Sequence, residues 1–67
     1  MHDKLENKLK VLRAEKNITQ DDLGKGCGVS RQSINAIETG KFIPTVLTAI
    51  KIANYFEVSV EEIFIIK

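Results

Sequence analysis

The chain has 67 residues, 28% of them charged, and a formal net charge of +1. That length holds one domain around one small core, with no space for a separate effector domain, and so small a core makes dimerisation a natural remedy. The single cysteine excludes an intrachain disulfide and offers no metal-ligand spacing, and with no signal peptide or membrane-length apolar run a cytoplasmic protein is expected.

Leu5, Leu9 and Leu12 recur at helical spacing and predict a first helix from about residue 5 to 16. Asn17 and Ile18 then lead into the densest pattern of the chain, TQDDLGKGCGVSRQSINAIETG over residues 19–40. Thr19 and Ser30 each stand where a hydroxyl caps a helix start, and Asp22 completes a capping-box-like pair with Thr19. Leu23 and Cys27 lie one turn apart and predict a buried face, as do Ile34 and Ile37. Gly28 falls just past the first of these helices, where a left-handed backbone is needed. Two helices over roughly 19–27 and 30–38 follow, and Gly24 lets them approach closely, which makes a helix-turn-helix.

Gly40 ends the third helix, and Lys41-Phe42-Ile43-Pro44 reads as a loop. Thr45 caps a fourth helix whose predicted apolar face is Val46, Ala49, Ile50, Ala53 and Phe56. Ser59 with Glu62 opens a short fifth helix. The expected class is therefore all-α with five helices in a single domain over 1–67. The tail Ile63-Phe64-Ile65-Ile66 puts four apolar residues in a row, which fits no single helix face, and isoleucine favours a strand. Two arrangements fit it. In one, Ile63 and a neighbour or two close the core. In the other, the tail pairs as a short strand with the segment around Leu5 and lines a two-fold interface. Region 58–67 would then contribute to dimerisation, with Leu47, Ile50, Phe64 and Ile66 as interface candidates.

The third helix carries the candidate functional residues. An α-helix fits the DNA major groove, and the first residues of the second motif helix reach base edges. Those residues are Arg31 and Gln32, with Asn35 one turn on. Arginine can donate in parallel to guanine, and glutamine or asparagine can pair with adenine. Gln20 begins a helix, where backbone N–H groups and its amide can hold a phosphate. Ser30, Ser33, Thr39 and Lys41 lie near the same surface as further phosphate candidates. The basic balance is local, with Lys25, Arg31 and Lys41 set against Glu38, while Glu57, Glu61 and Glu62 lie in the last third.

Thr19-Gln20, Leu23-Gly24, Gly28-Val29-Ser30, the set Gln32/Ile34/Ile37/Glu38 and Gly40 resemble the phage-repressor, or Cro/CI (Xre-type), helix-turn-helix family. The likeness extends upstream through Leu9–Arg13 and downstream through Ala49–Ala53 and Val60–Phe64. It covers nearly the whole chain and is closest to small stand-alone members. It implies a five-helix lambda-repressor-like domain. It also implies a sequence-specific transcriptional regulator of double-stranded DNA, most simply a homodimeric repressor of a palindromic operator. In that family the glutamine matching Gln20 contacts the DNA backbone and braces the first reader residue, here Arg31. Arg13 and Glu38 match an ion bridge that joins the first helix to the end of the third, a structural role. The chain departs from the pattern at Gly24 and Gly26, where alanine and a longer polar residue are usual. Each glycine costs a helix interior up to about 1 kcal/mol, so the second helix is expected to be soft. Ile43 and the order Leu47-Thr48 depart as well.

The rival reading is an antitoxin-like module that binds a protein partner first and DNA second, favoured by the modest charge and apolar tail. Enzyme activity ranks below both, because His2 stands alone, Cys27 reads as buried and the carboxylates form no catalytic or metal motif. No cofactor, metal or small-molecule effector is expected.

Overall fold

The computed structural model describes residues 3–67; His2 lies outside the described residues. In chain order the elements are β1 (Leu5–Asn7), α1 (Leu9–Lys16), α2 (Gln20–Cys27), α3 (Arg31–Glu38), α4 (Val46–Phe56), α5 (Val60–Ile63) and β2 (Phe64–Ile66). The five helices and the terminal strand pair are as expected, with one shift of boundary. The first helix starts at Leu9, and Leu5 belongs to a strand. The backbone of Leu5–Asn7 bonds sideways to the tail, so it is not available for helical bonds. Asn7 then marks the change of direction, its Oδ1 accepting the Leu9 N–H at 3.2 Å.

β1 and β2 run antiparallel, with Leu5 opposite Ile66, Glu6 opposite Ile65 and Asn7 opposite Phe64. The pairing continues at both ends. Lys4 and Lys67 exchange backbone bonds of 3.2 and 2.8 Å, and Lys8 donates to the Ile63 carbonyl at 2.9 Å. The tail closes the core and also forms the strand: Ile63 is fully buried, Phe64 packs against the core, and Phe64–Ile66 pair with the segment around Leu5.

Local capping sets the helix starts. Thr19 Oγ1 accepts the Asp22 N–H at 3.0 Å and the Asp22 carboxylate accepts the Thr19 N–H at 3.0 Å, a complete capping box. These bonds hold the Asp22 carboxyl below its ordinary value. Ser30 caps α3, Thr45 caps α4, and Ser59 with Glu62 forms the box of α5. Gly28 closes α2 at φ 72°, a conformation open to glycine without strain.

Every helix contributes to one core: Leu9, Leu23 and Cys27, Ile34 and Ile37, Ile52, Ala53 and Phe56, and Ile63. The buried face of α4 is Ala49, Ile52, Ala53 and Phe56. Val46 and Ile50, expected on that face, are exposed, and Ile52 takes their place. The helix is apolar on more than one side, and contact with α2 and α5 decides which side turns inward. The thiol of Cys27 is buried 3.9 Å from the Lys51 carbonyl, and loss of solvent pushes its pKa up, the state of an unreactive packing residue.

Neither glycine inside α2 has room for a side chain. A Cβ at Gly24 would collide with the Val29 carbonyl oxygen in the turn, and one at Gly26 with the ring of Tyr55. The close approach at Gly24 is therefore to the turn leading into α3. What the glycines cost α2 in helix propensity is set against tight packing at these two points.

Candidate nucleic-acid interface

α2 and α3 make the most extensive helix pair in the molecule, and the outer surface of α3 begins at its capped start. Arg31, Gln32 and Asn35 are all exposed there, and with Gln20 they line one open hollow. Three side chains able to bond base edges thus share one face. Arg31 also lines a neighbouring hollow with Arg13, Ile18, Thr19, Gln20 and Asp21, at the start of α2.

A polar network holds this face from beneath. Arg13 on α1 grips the Glu38 carboxylate with two parallel bonds, Nε to Oε2 and Nη2 to Oε1, the latter at 3.0 Å. Arg13 Nη1 also donates to the Ile18 carbonyl at 3.1 Å. The side chains are 16% and 6% exposed, so water screens this pair little. The bond to Glu38, opposed in part by burial, raises the Arg13 pKa further. The expected bridge between α1 and the end of α3 is thus present.

Gln20 sits above this pair. Its Nε2 donates to Asn35 Oδ1 at 3.1 Å and to Glu38 Oε1 at 3.2 Å. The resemblance implied a brace on Arg31; the structure gives the brace to Asn35 and Glu38. The reason is reach, since Glu38 and Asn35 lie three residues apart on the α3 face turned toward Gln20. With both amide protons engaged, the part of Gln20 left for a phosphate is its backbone N–H in the first turn of α2.

The hydroxyl candidates differ in what they have free. Ser30 Oγ accepts the Ser33 N–H at 3.1 Å and lies 2.9 Å from Ser33 Oγ. Thr39 Oγ1 donates back to the Asn35 carbonyl at 2.9 Å, a bond it must give up to donate to a phosphate. Lys41 is exposed just beyond α3. Lys25 is not a free cation, because Asp21, one turn earlier on α2, pairs with it at 3.2 Å. The charge balance of the motif therefore includes Asp21 and Asp22 as well as Glu38. Among the described residues, Arg31 and Lys41 have no carboxylate within ion-pair distance.

Asn7 carries no functional signal in the sequence yet is placed at the end of α3. Its Nδ2 donates to the Ile37 carbonyl at 3.0 Å, and the Glu38 carbonyl lies at 3.4 Å. It thereby caps the C-terminus of α3 from the terminal sheet. An asparagine two residues ahead of the first buried leucine is a signal for a local cap, but its partner thirty residues away has no signature in the chain.

None of the interface candidates lines these hollows. Leu47 is 63% exposed, Ile50 44% and Ile66 70%, while Phe64 is half-buried against the core. Among the described residues no helix is long and apolar enough to cross a membrane, and no cluster of three or more His, Cys, Asp or Glu residues is placed to hold a metal ion.

Residues 9–63 match the family model described as helix-turn-helix. An uncharacterized HTH-type transcriptional regulator of Methanocaldococcus jannaschii is 56% identical over 61 residues, covering 91% of this chain and 92% of that protein. A second such regulator, from Bacillus subtilis, is 42% identical over 60 residues, covering 90% and 91%. Among solved structures, the restriction-modification controller protein C.AhdI of Aeromonas hydrophila shares the fold, with a TM-score of 0.77 at 24% identity over 82% of this chain and 83% of that one. The chain belongs to the helix-turn-helix family of the Cro/CI type.

Proposed function

We propose that this DNA-binding transcriptional regulator works in the cytoplasm as a homodimer, reads a palindromic operator through the major groove and represses by occluding polymerase. The observation that carries the reading is the grouping of Arg31, Gln32 and Asn35 around one open hollow at the capped start of α3. That is the end of a helix-turn-helix reader that reaches base edges. Arg31 supplies a two-pronged donor suited to guanine O6 and N7, and Gln32 a carboxamide suited to adenine. The Gln20 backbone N–H, Ser30, Ser33, Thr39 and Lys41 hold flanking phosphates, with Lys41 and Ser33 the stronger of these.

Two copies would set their α3 helices about 34 Å apart, one turn of duplex. Support for a second copy comes from Leu47, Ile50 and Ile66, which are apolar and exposed in the single chain. Phe64 contributes from a half-buried position. The family and its relatives place the chain with regulators and not with enzymes.

Selection from a random duplex library tests the reading. The expected product is a two-fold-symmetric site bound far more tightly than random DNA. Ile66→Asp should sediment as a monomer with an unchanged fold. Phe42, Ile43 and Val46 are also exposed, and a partner-binding role would rest on them. Weak binding without a consensus, erased by salt, would favour that role.

A further inference from the structure

The bonds around Gln20 have a fixed sense. Arg13 holds Glu38 as the acceptor of an ion pair, so the Gln20 atom facing Glu38 has to be a donor, the amide NH2. The second proton of that NH2 points at Asn35, which must answer with its carboxamide oxygen. Asn35 Nδ2 is thereby turned away from the protein, and among the described residues it bonds no acceptor. Asn35 is exposed and lines the hollow it shares with Arg31 and Gln32. Charge on α1 thus sets, through Glu38 and Gln20, which end of Asn35 faces outward.

We propose that Asn35 reads its base as a hydrogen-bond donor, so that the operator carries guanine at the position it meets. This rests on α3 lying in the major groove as a reader helix. Guanine offers two adjacent acceptors there, O6 and N7, whereas cytosine offers only a donor. The common pairing of asparagine with adenine needs the carboxamide oxygen to accept from N6. Gln20 holds that oxygen. Thymine O4 is a single acceptor beside a methyl group and makes the second-best partner. Asn35 is in this way a specificity-determining residue, and Gln20 is the positioning residue that sets its sense.

The test is library selection with the full chain and three variants. Asn35→Ala marks the operator position, as the one whose preference it erases. Asn35→Asp keeps an oxygen for Gln20 but presents an acceptor outward. Its preference at that position should move from guanine to cytosine, with the guanine-to-cytosine ratio changing by roughly 5- to 150-fold. Gln20→Met removes the brace, so that position should admit adenine while the positions read by Arg31 and Gln32 stay unchanged. A role for Asn35 in folding alone would lower binding to all four bases together. That uniform loss from Asn35→Asp would overturn the proposal, as would adenine at the marked position in the wild-type operator. An operator that depends on Arg31 but has no position sensitive to Asn35→Ala would sink this inference and leave the reader-helix proposal standing. No operator at all for the wild type would sink both.

Discussion

Two sets of side chains in this small domain are governed by different physics. The proposed reader face of α2 and α3 rests on directional polar contacts: Arg13 on Glu38, Gln20 on Glu38 and Asn35, and hydroxyl caps at each helix start. The opposite extreme is the exposed set of Leu47, Ile50 and Ile66, where apolar area faces solvent with no partner in the single chain. Directional contacts fix the angle and polarity of a side chain, and such polar networks can specify one arrangement. Apolar area specifies little about angle but supplies free energy when covered. The proposed dimeric reader would use the first at its base-reading helix and the second between its copies.

The sharpest way to break that contrast is to remove one charge from beneath the reader face. Glu38→Ala should strand Arg13 in a place with little water and cost about 3 kcal/mol or more in chemical denaturation. Replacing both partners, as Arg13→Met with Glu38→Leu, should recover much of that stability while leaving operator binding impaired, because Gln20 then loses its Glu38 acceptor and keeps only Asn35. Recovery of both stability and operator preference in the double variant would mean that the network packs the helices without orienting the reader.

Asn7 joins the two regions, since it sits on β1 and bonds the last carbonyls of α3. Asn7→Ala should destabilise by about 1–3 kcal/mol, the usual cost of leaving part-buried backbone acceptors unsatisfied. Hydrogen exchange should quicken at the end of α3 and in β1 more than in α4. Uniform quickening would assign Asn7 to general stability and not to a joint.

The smallest effect expected is on pH. Bonds from backbone N–H groups of Thr19 and Ser59 lower the pKa of Asp22 and Glu62 in the folded state. A carboxyl lowered on folding stabilises the protein above its unfolded value, and that contribution disappears as pH falls through the folded one. Acid should therefore loosen the starts of α2 and α5, and Asp22→Asn with Glu62→Gln should flatten the acid limb of a melting curve. An unchanged acid limb would show that neither box contributes measurably.

Much of the fold was legible because its signals are local. Thr19, Asp22, Gly28 and Ser30 punctuate the motif within twelve residues, and each acts on its own backbone. The limits of α1 and α4 were less legible. Leu5, Leu9 and Leu12 keep a helical period although Leu5 lies in a strand, since periodicity cannot register a backbone paired with the far end of the chain. In α4 apolar residues occupy more than one face, so the turn of Ile52 inward and Ile50 outward had to come from neighbouring helices. At the site, the exposed positions of Arg31, Gln32 and Asn35 followed from spacing on one helix. The brace from Gln20 to Asn35 and the cap from Asn7 did not, because they depend on how close separate elements come.

The most direct measurement is binding of the wild type and Arg31→Ala to the selected operator and to random duplex at several salt concentrations. The account predicts that Arg31→Ala loses roughly 5- to 150-fold on the operator, with preference relaxed at one base pair per half-site and binding to random DNA nearly unchanged. Equal loss on operator and random DNA would make Arg31 a phosphate contact and contradict the reading of α3 as the element that distinguishes sequences.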